Sequence, residues 1–273
     1  MISNNPFATL SVFLPSIVMQ VFVILMVVLV ILGTLFDIIH KKNVKYFFQN
    51  AKKAKAQAKR NLSSNEKTSI IAKTFASEIL TTSELGAGKR RVAHLLGMYG
   101  TLLFWATSVI LIFCYSSLAI KTPIIYPILW HVGAIMTWLG GYWFWFFLRV
   151  DVSAEAHPWY RIIQADLFVL SLVITSTFAL LWSFFQSYNI IGWSIFFLTL
   201  FGLSNLVLFG GVYWSKFAHM FYKPGAAIQR NLAEADGSRD NLPEPSDQPK
   251  QFGLGIKREA PKHYWFRYEK RKN

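Results

Sequence analysis

His94 stands in KRRVAHLLGMYG, where a basic cluster meets an apolar run, and His219 stands in YWSKFAHMFY, where another apolar run meets a polar tail. Two neutral imidazoles on facing helices can bind a heme iron axially, one from each side. Gly97 and Gly100 follow His94 by one turn and nearly two, on a similar face, where missing side chains would leave room for a porphyrin edge. Arg90, Arg91 and Lys216 are placed to neutralise heme propionates. The competing reading is that each histidine hydrogen-bonds to lipid headgroups. His131, in YPILWHVGAIMTW, either hydrogen-bonds to a neighbouring helix or contacts a quinone oxygen. His40 and His157 read as surface residues at the edges of runs, and His263 lies in the polar tail. Asp166, in IIQADLFVLSL, caps or pairs at an interface, or relays a proton. The single cysteine, Cys114, rules out a disulfide framework and a cysteine-ligated zinc or iron–sulfur site within these residues.

The histidines can meet only if the elements that carry them cross a membrane in the right sense. A composition of 53% hydrophobic, 16% aromatic and 15% charged residues is not that of a soluble domain. Five runs are apolar enough to span a bilayer: Ser16 to Ile39, Val92 to Ser116, Ile125 to Leu148, Ile163 to Phe185 and Gly192 to Trp214. A hydrocarbon core about 30 Å thick takes about 20 helical residues. Uninterrupted runs exclude the alternation of a barrel, so the expected fold class is an all-α membrane protein with five transmembrane helices in a bundle. No charge precedes Asp37 and the first run is long, which reads as a retained helix and not a signal peptide.

The net charge of +14 is concentrated in two places. Between Lys41 and Arg91 there are thirteen Lys/Arg against three acids, and Lys216 to Lys272 holds twelve against seven. The positive-inside rule then puts the N-terminus outside and the C-terminus in the cytoplasm. His94 and His219 fall at one depth near the cytoplasmic face, and His131 lies toward the outer leaflet. The basic excess is accounted for by topology and attraction to anionic lipid, with no nucleic-acid site implied.

The chain divides into a first transmembrane helix (1–40), a basic cytoplasmic loop (41–91), a four-helix membrane core (92–221) and a cytoplasmic tail (222–273). In the loop, Ala, Lys and Gln occur at helical density up to a break at Asn61 to Asn65. Phe47 and Phe48, beside lysines, suit a helix on the inner leaflet; a solvated linker is the alternative. In the tail, AEADGSRDNLPEPSDQPK should be extended. FGLGIKREAPKHYWFRYEKRKN then interleaves aromatic and basic residues, which reads as a docking strip for a protein partner or a lipid surface.

RRVAHLLGMYG, ADLFVLSLVITSTF and SKFAHMFYKP resemble the membrane cytochrome b family of the nitrate reductase gamma subunit, with the heterodisulfide reductase and Qmo complex membrane subunits. Within that group, the long basic loop and the FGLGIKREAPKHY ending look most like the membrane anchor associated with dissimilatory adenylylsulfate reductase. The resemblance implies a quinone-linked electron conduit in the inner membrane of a prokaryote, whose cytosolic partner carries flavin and iron–sulfur clusters, here adenylylsulfate reductase alpha and beta. It puts the inner heme ligands on His94 and His219, and the second, outer pair on Phe104 and Phe201, so that a single heme b is implied. A cofactor-free anchor for the same kind of enzyme is the rival expectation.

Overall fold

The computed structural model describes residues 2–41, 43–85, 88–149, 157–215 and 219–238. Nine α-helices and their connecting turns account for these residues, with no strand among them. They are α1 (Pro6–Leu10), α2 (Ser16–Lys41), α3 (Asn43–Ala56), α4 (Ser64–Thr74), α5 (Lys89–Cys114), α6 (Ile125–Trp143), α7 (Leu167–Ser187), α8 (Ile191–Gly210) and α9 (His219–Ala235). Each of α4 and α6 runs on into a π-helical turn, Phe75–Leu80 and Phe144–Leu148. In hydrocarbon a backbone must satisfy its own polar groups, which dictates helix wherever the run is apolar.

Four helices, α2, α5, α7 and α8, are long and apolar enough to cross a membrane. The expected run from Ile125 is helical too, but α6 carries Tyr126, Trp130, His131, Trp138 and three glycines. These weaken its apolar character although it packs centrally. The fifth run differs more from expectation. It does not continue to Trp214: α8 ends at Gly210, the chain turns through 211–215, and His219 opens α9 instead of closing a span. Consecutive glycines at 210 and 211 are poor helix formers and give the break its place.

Contacts fix the packing order. Along α5 and α6 the pairs run in opposite senses. A Cβ on Gly140 would stand 2.6 Å from the Gly97 nitrogen, and one on Gly133 2.6 Å from the Phe104 nitrogen. The α6–α7 contacts, Tyr142 with Thr177 and His131 with Ser183, are antiparallel as well. So are Thr175 to Ser204 and Trp182 on Phe201 between α7 and α8. Gln20 Nε2 donates to the Ile112 carbonyl of α5, and Gly33 abuts Val212 beyond α8, so α2 closes the ring. The five helices therefore alternate in direction. The lysine-rich segment after α2 and the start of α9 emerge at one end, called here the basic end.

At that end the loop is not a loose linker. Ser63 caps α4 in a capping box with Glu66, whose carboxylate is held below its usual pKa mainly by the Ser63 backbone N–H it accepts. Arg230 and Asn231 of α9 both bind Glu78, at 2.5 and 2.7 Å, and the Lys59 and Arg60 amides donate to the Asp236 carbonyl. Thus α3, α4 and α9 form one helical layer under the bundle.

Candidate functional site

His94 sits in the second turn of α5 with its side chain largely exposed, and Arg90 and Arg91 precede it. Arg91 Nε donates to the Thr81 carbonyl at 2.7 Å, which ties the α4 side of the cap to α5. His219 begins α9, but its side chain lies outside the described residues, as does Lys216. The structure therefore places both histidine backbones toward the basic end without showing the two rings together.

The glycines divide. A Cβ on Gly97 would meet nothing within 4 Å, whereas one on Gly100 would lie 2.6 Å from the Thr137 nitrogen of α6. The space beside Gly100 is taken by a helix crossing, the usual use of small residues between membrane helices. That corrects the expectation that Gly100 leaves room for a porphyrin edge.

The far half of the interior is filled with aromatic side chains. Phe104 faces Phe201 at 6.3 Å between centroids, Trp182 stacks on Phe201 at 5.7 Å, and Trp130 packs on Phe104 at 5.2 Å. Trp130 and Trp182 have no exposed surface. Phe7 of α1 enters this cluster edge-on to both tryptophans. Asn5 anchors it, accepting from the Phe7 and Ala8 amides and donating to the Tyr115 carbonyl at 2.7 Å. This N-terminal plug left no sequence signal beyond an Asn-Pro helix start.

His131 is fully buried beside the cluster. One ring nitrogen, Nδ1, lies 2.7 Å from the Pro127 carbonyl, which can only accept, so Nδ1 carries the proton. The other, Nε2, then accepts from the Ser183 hydroxyl of α7 at 2.7 Å. Both nitrogens are engaged, and the ring serves as a link between α6 and α7. Ser183 also lines a polar recess of about 240 Å³ under α1.

A larger apolar cavity of about 660 Å³ separates α2 from α5 and α8. Met26, Trp105, Phe201 and Phe209 wall it, and Met220, next to His219, stands at its basic-end margin. Among the described residues that line it there is no histidine and no charged side chain, so neither the heme ligand expected at His94 nor the propionate partners expected at Arg90 and Arg91 stand in its walls. On α5 the lining starts at Leu102, eight residues from His94, or about 12 Å of helix.

Two buried polar pairs flank the basic end. Arg149 Nη1 donates to Asp166 Oδ2 at 2.8 Å, with both side chains largely buried, and its guanidinium lies 4.4 Å over the Trp145 ring. Asp166 also accepts the Ile163 amide and so fixes the start of α7. Of the two readings of Asp166, the structure shows pairing. Asp37, 1% exposed, accepts from the Tyr222 hydroxyl at 3.0 Å, joining α2 to α9. Burial first, then the Asp37 hydrogen bond and charge, push the Tyr222 hydroxyl up to about 12. Burial likewise pulls the Lys223 ammonium below its usual value.

No family of known proteins, no curated protein and no solved structure matches this chain. Among the described residues no three His, Cys, Asp or Glu side chains are grouped to hold a metal ion.

Proposed function

We propose that this protein is a five-span membrane anchor and electron-transfer subunit, N-terminus outside, that links a cytosolic iron–sulfur flavoenzyme to the membrane quinone pool. The partner implied by the sequence resemblance is adenylylsulfate reductase. The observation that supports the reading is that His94, in the second turn of α5, and His219, at the start of α9, both belong to the basic end. His94 and His219 would be axial ligands of a heme b, and Arg90, Arg91 and Lys216 would pair with its propionates. When bound, such a group supplies one-electron transfer. The chain's own part is to exclude water with the aromatic core and to present cations at the basic end. The loop 41–91 and the strip 250–273, which lies outside the described residues, would receive the soluble partner.

A cofactor-free anchor is the second reading. Its support is the tight α5–α6 crossing at Gly100 and the apolar cavity's lining on α5, which begins at Leu102, eight residues beyond His94. A reduced-minus-oxidised spectrum of the purified protein separates the two. The first reading expects a b-type signal, lost in His94→Ala and in His219→Ala; a colourless protein that still retains its partner selects the second. Deleting residues 250–273 should release the soluble partner from membranes, and unchanged co-sedimentation would remove the strip from the docking face.

A further inference from the structure

The α3 helix has two unlike sides. Val44, Phe47, Ala51 and Ala54 recur at spacings of three and four residues and are all partly buried, and the Phe47 ring lies against Gly225 of α9. Lys45, Phe48, Lys52 and Lys55 follow the same spacing on an exposed stripe, with Phe48 64% exposed. Tyr46, Asn50, Lys53 and, just past the helix, Gln57 occupy the other flank, also exposed, with one cation there against three on the Phe48 stripe. No acid occurs between Asp37 and Glu66. The aromatic pair of the sequence is thus split: Phe47 packs within the protein and Phe48 faces out among cations.

Contacts show how α3 lies. Its neighbour α9 is tied to the end of α2 through Tyr222 and Asp37. Eight residues on, Arg230 holds Glu78 in the π-turn after α4. That turn is bound to α5, where Arg91 in the first turn donates to the Thr81 carbonyl at 2.7 Å and Tyr99 in the third turn donates to the Leu80 carbonyl at 2.8 Å. Linked to α2 through Tyr222 and, by way of Arg230 and the π-turn, to α5, α9 packs at the basic end of the bundle. Phe47 meets Gly225 and Lys59 meets Asp236, so α3 runs beside α9 in the same direction. It also starts within two residues of the end of α2.

We propose that the Lys45–Phe48–Lys52–Lys55 stripe of α3 docks on anionic phospholipid headgroups of the leaflet at the basic end, with the Phe48 ring inserted among the acyl chains. A cationic stripe with one exposed aromatic, free of acids and tethered to a spanning helix, complements a negatively charged bilayer surface. An acidic protein would be matched by the charge but gives no use for Phe48 beside the membrane.

The test uses the full chain with Cys114→Ser and a nitroxide on Phe48→Cys or, separately, on Asn50→Cys. Each is placed in nanodiscs of phosphatidylcholine alone or mixed equally with phosphatidylglycerol. In the anionic discs the label at position 48 should gain contact with oxygen and lose contact with a water-soluble nickel chelate, while the label at 50 stays water-accessible. Each lysine changed to glutamine among 45, 52 and 55 should lower the docked-to-free ratio about fivefold, and added salt should act in the same direction. Equal water access at 48 and 50 in both lipids overturns the proposal. So does shielding of position 48 that appears only when an acidic protein is added.

Discussion

At the scale of single residues, the most consequential groups are charges placed where water is scarce. Arg149 is 3% exposed and Asp166 8%. A buried ion pair need not stabilise relative to apolar residues of the same shape, but removing one partner strands the other charge, at about 3–5 kcal/mol. Asp166→Asn should therefore lower the thermal stability of the detergent-solubilised protein by that order. Replacing both, Arg149→Met with Asp166→Leu, should cost clearly less than the sum of the single changes. Thermal unfolding of the four proteins completes the cycle; additive losses would mean that the two side chains act independently. The pair also explains why Asp166 is tolerated at the head of an apolar helix: its Oδ2 accepts from both Arg149 and the Ile163 amide, which offsets part of the cost of burying the charge.

Among elements, the α5–α6 crossing decides how close the helices come. Gly133 and Gly140 let the backbones touch, and the Thr137 hydroxyl lies 3.4 Å from that of Thr101 across the crossing. Gly133→Leu would drive carbon atoms into the Phe104 backbone, which cannot rotate aside, and should cost at least about 1–3 kcal/mol. Gly202→Ala, where a Cβ meets nothing within 4 Å, should be neutral or stabilising by up to about 1 kcal/mol, because alanine is the better helix former. Size-exclusion profiles and melting of the two variants test this contrast, and equal behaviour would remove the crossing from the explanation. The same glycines show where sequence reading succeeds and stops. Apolar runs announce long helices because a 20-residue run has few other uses. A glycine's neighbour is a tertiary fact, so Gly97 and Gly100 look alike in sequence although one is open and the other filled. The end of α8 is hidden in the sequence for a related reason: Val212 and Trp214 prolong the apolar run past Gly210, where the helix has already stopped. Nor does Phe7 differ in sequence from any other apolar residue; only its seat between Trp130 and Trp182 makes it a plug.

For the whole molecule, alternation of direction and distribution of charge point to one arrangement in the bilayer. The starts of α2, α6 and α8 lie at the far end, as do the ends of α5 and α7, and the turns there carry only Lys121. The opposite end gathers the lysines of α3 and the arginines before His94, and cationic segments resist transfer to the outer side. In the proposed arrangement α6 spans together with the four more apolar helices, the far-end turns face outside and the helical layer of α3, α4 and α9 faces inside. Single cysteines in a Cys114→Ser background read this out. Lys121→Cys should react with a membrane-impermeant maleimide added to spheroplasts. Lys67→Cys, at the exposed face of α4, should react only after the membrane is opened. Reaction at both sites in intact spheroplasts would mean an even number of crossings between them, with α5 failing to span. Reaction at Lys67 alone would invert the molecule, and would put His94 and His219 on the side away from any cytosolic donor.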